Sequence, residues 1–289
     1  MNQMVSVKEA AQYLGVSSST FKRVCDKYAF PLHRTAGGHR RISRADLDQA
    51  YSLLWNGSRK KCVSMAPSDA DGTQEMVNQL LDRNSEGIIS TIFEQMESPD
   101  QLSYVLENTL IPALWSIGEL WRARQLEVYQ EHICSSTVCT VLDQLLCRLP
   151  KVEAESSLAI GGSFEGNLDS IASKFVCLVL KSIGMRSIDL GCNLPVASIV
   201  KATSDLQPTF VWICHTHVEN PNSILENHRK LRQSLASSVK VVIGGGGLSP
   251  ALRRSLFECV YFESMTLLVD AIKADAFGTN CYRLHKSTV

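Results

Sequence analysis

The chain has 289 residues, of which 45 % are hydrophobic and 20 % charged, as in ordinary globular proteins. That length suits two or three domains rather than one small core. The 29 basic and 29 acidic residues cancel overall, yet residues 1–61 hold 11 basic and only 4 acidic residues. A basic head on an acidic remainder is typical of a nucleic-acid-binding module joined to a domain with another task.

The composition also argues against two other classes of protein. No apolar run reaches the ~18–20 residues that a membrane span needs, and the first ten residues lack the apolar core of a signal peptide. The ten cysteines include no C-x-x-C pair, which favours reduced thiols over a disulfide framework. We therefore expect a cytoplasmic protein with no membrane partner.

The N-terminal segment has the signals of a winged helix-turn-helix. Ser6 and Glu9 form the capping-box pattern at the start of VKEAAQYLGV, and STFKRVCDKY follows after a very short turn. Gly37-Gly38 lies between two basic arms and predicts a β-hairpin, the wing. Ser43 then predicts the cap of a further helix, ADLDQAYSLLW.

We interpret residues 1–56 as a DNA-binding domain, because its polar and basic side chains suit phosphates and base edges. The alternative is a solvated basic face with no partner. The residues predicted to contact double-stranded DNA are Ser18, Ser19, Thr20, Lys22, Arg23 and Lys27 on the second helix, and Arg34, His39, Arg40 and Arg41 on the wing.

Three further segments follow, and their patterns change along the chain. Residues 57–72 are polar and without periodicity, which predicts a linker. Residues 73–150 repeat apolar positions at helical spacing and predict a four-helix bundle, with a kink or break at Pro112. Residues 155–280 alternate five short apolar strands with helices, which predicts a doubly wound parallel sheet. The expected fold is therefore multidomain, α and α/β.

The head resembles MerR-type regulators, because R-T-x-G-G-H-R-R is a specific wing signal and is present at residues 34–41. The order of head, bundle and doubly wound domain resembles the CarH/LitR group, which are light-responsive, cobalamin-binding MerR-type repressors. In WRARQLEVYQEHICSS, Trp121 precedes Glu131 and His132 at the spacing found in that group. The resemblance implies that these three residues contact the upper face of cobalamin. An unliganded core Trp with a surface Glu-His pair is the alternative.

The lower face departs from the group. The histidine that ligates cobalt from below corresponds to Asp169 here, and a hard carboxylate is a poor substitute for imidazole on cobalt. The group's Ser-x-Leu corresponds to the stretch from Cys214 to Thr216. Its glycine run, which cradles the nucleotide tail, is present at Gly244 and Gly245.

Three interpretations of the pocket stay open. In the first, cobalamin, such as adenosylcobalamin, binds without ligation from Asp169. Its own base, water, or a neighbour such as His215 or His217 then occupies the lower site. In the second, another tetrapyrrole or small molecule binds, with His132, His215 and His217 as candidate metal ligands. In the third, the pocket is empty and the body serves oligomerisation or partner binding.

The resulting hypothesis is a sequence-specific transcriptional regulator, a repressor by resemblance. Its oligomeric state, as a homodimer or tetramer, and its DNA binding would be controlled by a ligand and possibly by light. The alternative from another class is a corrinoid- or bilin-dependent enzyme. We expect no catalysis, because the sequence has no clustered acid–base pair and no Ser/His/Asp set.

Overall fold

The structure is a computed structural model, and it describes residues 4–13, 21, 22, 25, 31–34, 40–43, 46, 47 and 70–274, apart from residue 257. At the N-terminus, strand β1 (Met4–Ser6) leads directly into helix α1 (Val7–Tyr13). The predicted capping box is present: the Glu9 N–H donates to Ser6 Oγ at 3.2 Å, and the Ser6 N–H donates to Glu9 Oε2 at 2.7 Å. The bond from the Ser6 N–H holds the pKa of the Glu9 carboxyl below its usual range.

The wing arms pair as the sequence predicts. Strands β2 (His33–Arg34) and β3 (Arg40–Ser43) are antiparallel, and β3 lies between β1 and β2 in a three-stranded sheet. Ile42 on β3 is fully buried, in a small core with residues of α1 and with Phe21. The Ser43 hydroxyl accepts a hydrogen bond from the Asp46 N–H at 3.1 Å, as expected of a helix cap. The turn that contains Gly37-Gly38 lies outside the described residues.

The bundle contains the four predicted helical segments, of which the third is broken in two. The helices are α2 (Ala70–Leu81), α3 (Ser85–Glu94), a 3₁₀ turn (Pro99–Gln101), α4 (Leu102–Asn108), α5 (Leu110–Arg122) and α6 (Val128–Arg148). Helix α2 begins at Ala70, so it enters the segment 57–72 that we interpreted as a linker. The polar residues at its start carry no periodicity that would reveal it.

The break in the third helical segment lies at Thr109, three residues before the expected position at Pro112. Thr109 has φ −124° and ψ −79°, and its hydroxyl donates to the Val105 carbonyl at 2.7 Å. Pro112 has no N–H for the Asn108 carbonyl, and its ring would clash with that carbonyl in a continuous helix. The proline therefore lies in the first turn of α5, where it is tolerated, and the break precedes it.

The predicted doubly wound sheet is confirmed. Its five parallel strands have the order β5-β4-β6-β7-β8. In chain order the elements are β4 (Leu158–Gly162), α7 (Ile171–Ser182), β5 (Arg186–Asp189), α8 (Val196–Leu206), β6 (Phe210–Cys214), α9 (Pro221–Ser234), β7 (Lys240–Gly244), α10 (Pro250–Ser255), β8 (Val260–Tyr261) and α11 (Met265–Lys273). The chain leaves β4 toward β5 and returns on the other side at β6, so the switch point lies between β4 and β6.

The bundle packs on the face of the sheet that carries α7 and α11, and the two share one apolar core. Polar contacts reinforce this packing. Lys174 Nζ of α7 contacts Asp143 Oδ1 of α6 at 2.5 Å, and Lys181 Nζ donates to the Leu146 carbonyl at 2.9 Å. Glu107 of α4 accepts hydrogen bonds from the first backbone N–H groups of α11. Within the described part of the chain, no helix is long and apolar enough to cross a membrane.

Candidate functional site

The first three turns of α6 project beyond the carboxyl edge of the sheet. Helices α6 and α7 run side by side, with Asp143 opposite Lys174 and the Cys139 thiol beside Asp169 and Ser170, where α7 begins. Helix α6 begins at Val128, about 16 Å farther along its axis at 1.5 Å per residue. We call residues 128–136 the α6 overhang. It places side chains above the strand ends, where ligands of doubly wound sheets bind.

Glu131 lies on the α6 overhang, on the face that points toward the sheet. Glu131, Ser135, Cys139 and Asp143 are spaced four residues apart, so they share one side of the helix. The Ser135 hydroxyl donates to Glu131 Oε1 at 2.7 Å. The Glu131 side chain is 29 % exposed, so it stands beside the open space with one oxygen already oriented.

His132 and Trp121 are open to solvent at the same end of the helix pair. The His132 side chain is 73 % exposed, and its Nε2 lies 3.7 Å from Glu131 Oε2. Trp121 is 46 % exposed in the last turn of α5, which a short loop joins to α6. With Val128 and Tyr129, Trp121 presents apolar surface that the bundle core does not cover. The structure thus brings the predicted upper group to one end of the bundle.

The floor of the site is the loop between β4 and α7, and its predicted ligand position is already engaged. Asp169 Oδ1 accepts a hydrogen bond from the Ile171 N–H at 2.8 Å, and the Asp169 N–H donates to Asn167 Oδ1 at 3.1 Å. The neighbouring Leu168 is 76 % exposed. The carboxylate of Asp169 therefore serves the start of α7, while an apolar side chain faces solvent next to it.

Asn167, which the sequence analysis did not single out, ties the two central strands together. Its side chain donates to the Cys214 carbonyl at 3.3 Å and accepts from the Thr216 hydroxyl at 3.0 Å. The predicted cofactor residues Cys214 and Thr216 therefore lie at the switch point, and both are engaged by this amide. Burial raises the pKa of the Cys214 thiol, and the carboxylates of Asp189 and Asp169 raise it further, so it stays a neutral thiol.

The glycine run packs against the backbone of the chain after β6. A Cβ on Gly245, which has φ +110°, would lie 2.3 Å from the His215 carbonyl oxygen. The Gly247 N–H donates to the same oxygen at 2.8 Å. The close approach at Gly245 is thus filled by the protein's own backbone, and a Cβ on Gly244 would lie 3.3 Å from the Phe262 carbonyl oxygen, whereas Gly246 has open space around its Cα atom. A cofactor role for Gly244 and Gly245 remains a prediction.

His215 points away from the site and into the layer of α9. It is 1 % exposed, and its Nε2 lies 2.8 Å from Nε2 of His228, which is also buried. The Nδ1 of His228 in turn lies 3.4 Å from the Cys259 thiol. Burial lowers the pKa of His215 to about 4 and raises that of Cys259 to about 12, so this chain of groups is neutral. The partners escaped sequence analysis because His228 and Cys259 lie far apart in the chain.

Of the three candidate metal ligands, His132 and His217 are exposed and His215 is engaged with His228. In the part of the chain that the structure describes, no group of three or more His, Cys, Asp or Glu side chains is placed to hold a metal ion. A protein-built metal centre therefore has no support among these residues.

Trp212 fills the space beside β4 on the bundle-facing side of the sheet. It stands directly opposite Gly161 in the β4–β6 register and is 1 % exposed. Its indole N–H donates to Ser173 Oγ at 2.9 Å, and that hydroxyl donates to Asp189 Oδ1 at 2.6 Å. The sequence showed only an apolar strand here, so the position of this large side chain could not be foreseen.

A corrinoid fits the upper part of this site better than the lower part. Above the strand ends, Trp121 and His132 are exposed and Glu131 is partly buried, and all three can contact a flat, largely apolar ring with polar edges. Below, Asp169 offers no imidazole, and its carboxylate is held by the Ile171 N–H. The residues present therefore fit a ring lying between the α6 overhang and the strand ends, without a protein histidine at position 169.

In the head, the structure describes only some of the predicted DNA-contacting residues. Lys22, Arg40 and Arg41 are exposed, and Arg34 lies in β2. Arg41 also donates to the Met4 carbonyl at 3.3 Å, so part of its role is to join β3 to β1. The remaining predicted residues, Ser18, Ser19, Thr20, Arg23, Lys27 and His39, lie outside the described part of the chain.

Two family models match the chain, each over a part of it. A helix-turn-helix domain matches residues 4–51, and a B12 binding domain matches residues 69–146, which is the helical bundle with the α6 overhang. The second match covers Trp121, Glu131 and His132. The two matches lie in different parts of the chain and do not overlap.

The relatives fall into two groups. The HTH-type transcriptional repressor CarH of Myxococcus xanthus is 27 % identical over 139 residues, which are 48 % of this chain and 46 % of CarH. Dimethylamine corrinoid protein 2 of Methanosarcina mazei is 20 % identical over 205 residues, 69 % of this chain and 94 % of that protein. Less than half of CarH is matched, so what CarH does as a whole does not carry over by similarity alone.

A solved structure shares the fold of the body. The monomethylamine corrinoid protein of Methanosarcina barkeri superposes with a TM-score of 0.58, at 16 % identity, over 73 % of this chain and all of that chain. At this identity the likeness concerns the fold, which is a helical bundle on a parallel sheet. The chain thus combines a match to a helix-turn-helix domain with a match to a B12 binding domain, and in that combination it is similar to CarH.

Proposed function

We propose that this protein is a DNA-binding transcriptional regulator of the MerR type whose DNA binding is controlled by a corrinoid held under the α6 overhang. The observation that carries the proposal is the group of Trp121, Glu131 and His132 at one end of the bundle, in a chain whose residues 4–51 match a helix-turn-helix domain. The B12 binding domain and the corrinoid protein relatives support cobalamin binding in general.

In this proposal, Trp121, Glu131 and His132 would hold the corrinoid from the side of the α6 overhang. Ser135 orients Glu131 by donating to one of its oxygens, which leaves Oε2 facing His132. A bound corrinoid would supply the reactive metal centre whose chemical state these residues would sense. Leu168 on the floor would pack against the corrinoid from the side of the strand ends.

The control of DNA binding would act through assembly. Linking several heads raises the effective concentration of each one near its site, so a change in oligomeric state changes affinity without altering any DNA contact. We include in this proposal that the protein represses transcription, that it responds to light, and that it assembles as a homodimer or tetramer. The similarity to CarH, a repressor by name, and the exposed apolar residues of the α6 overhang support it.

A corrinoid-dependent methyl carrier is the second candidate, because the methylamine corrinoid proteins are also homologous. The helix-turn-helix domain and the similarity to CarH favour a protein that is not an enzyme. The absence of an imidazole at Asp169 argues in the same direction, since the resemblance places the cobalt-gripping histidine there.

The test has two arms, one for the head and one for the body. The first is a footprint of the purified protein on the DNA upstream of its own coding sequence, with affinity measured over a range of salt. We expect a protected site and a negative slope of log affinity against log salt, since phosphate contacts release counterions. No protection with or without corrinoid, or a slope of zero, contradicts the regulator.

The second arm is a titration of the protein with cobalamin, heme and biliverdin, followed by visible absorbance. We expect saturable binding of cobalamin alone. Binding of heme or biliverdin instead would show that the pocket takes another tetrapyrrole. Binding of none would leave oligomerisation or partner binding as the role of the body, and would contradict the corrinoid part of the proposal.

A further inference from the structure

The layer between the sheet and helix α7 is filled by buried side chains beside the central strand β4. Trp212 and its neighbours on this face of the sheet, such as Phe175 and Cys214, belong to the buried core. A Cβ on Gly161 would lie 2.3 Å from ring atoms of Trp212, so the indole lies flat across the central strand β4. No side chain larger than glycine fits at this position of β4.

The indole is held in place by a buried chain of hydrogen bonds. Trp212 Nε1 donates to Ser173 Oγ at 2.9 Å, and Ser173 donates to Asp189 Oδ1 at 2.6 Å. The same oxygen accepts the Gly191 N–H at 3.0 Å. The chain joins β6, α7 and the end of β5, and removing any member leaves a buried polar group unsatisfied. Rotation of the indole out of this layer is therefore costly.

A second set of bonds closes the edge above the indole. Asn167 is 5 % exposed and joins the β4–α7 loop to the end of β6 through the Cys214 carbonyl and the Thr216 hydroxyl. The Asn167 carbonyl also accepts the Asn193 N–H at 3.0 Å, which adds the loop after β5. Three strand ends are thus bonded to one another across the switch point.

From this geometry we infer that the protein takes its corrinoid flat on the strand edge, without admitting the nucleotide arm between the sheet and α7. The inference rests on the proposed function and narrows its ligand class. The ligand is a corrinoid whose nucleotide base stays on its own cobalt, or one that has no nucleotide base. In both cases the corrinoid would lie against Leu168 and Asp169 without inserting any group between the sheet and α7. The packing around Trp212 would then stay unchanged.

The first measurement compares cobalamin with cobinamide, which lacks the nucleotide, in binding titrations with the full-length protein. If the arm contributes no buried contacts, the two dissociation constants agree within about threefold, which is less than 1 kcal/mol. A preference for cobalamin of about a hundredfold or more contradicts the inference, because it requires contacts to the arm. Failure to bind either corrinoid contradicts the proposed function instead.

The second measurement identifies the lower ligand of bound cob(II)alamin by electron paramagnetic resonance. With protein uniformly labelled with ¹⁵N, we expect the three-line splitting of the cofactor's own ¹⁴N base. A two-line splitting would reveal a protein nitrogen on cobalt, and no nitrogen splitting would reveal a displaced base. Either of these results overturns the inference.

A pair of variants links the result to Trp212. Trp212→Phe keeps most of the ring volume and should leave the ratio of the two dissociation constants unchanged. Trp212→Ala opens the layer beside Gly161 and should shift that ratio toward cobalamin, provided its circular dichroism shows a folded chain. If the unaltered protein and both variants prefer cobalamin over cobinamide to the same extent, the result contradicts a role for the indole. The comparison on the unaltered protein needs no variant and stands if Trp212→Ala does not fold.

Discussion

At the scale of single residues, the buried pair of His215 and His228 makes stability depend on pH. A short bond between two ring nitrogens requires one to donate and the other to accept, so the accepting ring must be neutral. Burial lowers the pKa of His215 from 6.5 to about 4, and that of His228 falls as well. Between these values the unfolded chain binds more protons than the folded one.

The free energy of unfolding should therefore be highest above pH 6.5, the ordinary pKa of histidine, and should decrease as the pH falls toward about 4. One proton changes it by about 1.4 kcal/mol per pH unit. Urea unfolding between about pH 7.5 and about pH 5 measures this slope. In the double variant His215→Leu with His228→Phe the slope should be shallower, whereas His217→Gln, at an exposed position, should retain it. An equal slope in all three proteins would rule out this origin.

Trp121 offers a direct test of the ligand site, with a matched control on the same helix. Trp121→Ala should weaken cobalamin binding about tenfold, as expected when an aromatic contact worth ~0.5–1.5 kcal/mol is lost. Its effect on folding should be small, because Trp121 is 46 % exposed. Trp115, which is 72 % exposed and lies about 120° around α5, should tolerate alanine without loss of binding. Equal weakening by both variants would place the ligand elsewhere.

Arg40 is the cleanest described residue for testing the DNA-binding head, because Arg41 also bonds to Met4. Arg40→Ala should lower DNA affinity and reduce the steepness of the salt dependence by about one phosphate contact. The control is Lys8→Ala, which removes the same charge from an exposed position of α1 outside the predicted DNA surface. Filter binding or fluorescence anisotropy over a range of salt measures both. A loss of affinity with Lys8→Ala as large as with Arg40→Ala would indicate only a general charge effect.

At the scale of elements, the α6 overhang depends on how firmly the bundle is docked on the sheet domain. The Glu107 carboxylate accepts hydrogen bonds from the Met265 N–H and from the Thr266 N–H and hydroxyl, at the start of α11. Burial raises the pKa of Glu107 despite these bonds. Asp100 and Lys273 form a second link between the bundle and α11, but this pair is partly exposed, with Nζ and Oδ2 2.6 Å apart.

Glu107→Ala should lower the free energy of unfolding by about 1–3 kcal/mol, because it leaves partly buried donors at the start of α11 without an acceptor. Asp100→Ala should cost less than about 1 kcal/mol, as is usual for exposed ion pairs. Urea unfolding of both variants measures the difference. An Asp100→Ala effect equal to or larger than that of Glu107→Ala would mean that the surface pair, and not the buried carboxylate, holds the bundle on α11.

The sequence predicted those elements whose signals are local. The capping box of Ser6 and Glu9 needs only four residues, and the alternation of apolar strands with helices defined the parallel sheet before its order was known. Pro112 correctly predicted a break in the helix. The break lies at Thr109, because the proline ring clashes with the preceding turn of a continuous helix. The start of α2 at Ala70 was missed because its first residues are polar.

Contacts between distant segments were beyond the reach of sequence patterns. The pairing of His215 with His228, and the indole of Trp212 across Gly161, both depend on which strands and helices become neighbours. The wing signal and the spacing of Trp121 from Glu131 and His132 could be recognised because they recur in a family. The structure of the β4–α7 loop could not be predicted from the sequence. Asp169 indicates that the expected histidine is absent, but no pattern shows that Asn167 bonds to the Cys214 carbonyl and to the Asp169 N–H.

At the scale of the whole molecule, the chain joins two parts that are built on separate cores. The head has its own small core around Ala10, Phe21 and Ile42, and the body shares one core between bundle and sheet. A ligand under the α6 overhang lies far from the DNA-contacting side chains in sequence. Its influence on DNA must appear as a coupling free energy between the two binding events.

The most direct test of this coupling is the affinity of the protein for its protected DNA site, measured with and without saturating cobalamin. For the unaltered protein we expect a change of about tenfold, within the ~1–3 kcal/mol typical of coupled sites. For Trp121→Ala, at a cobalamin concentration that nearly saturates only the unaltered protein, we expect a smaller change. An affinity for DNA that is the same with and without bound cobalamin would contradict the account.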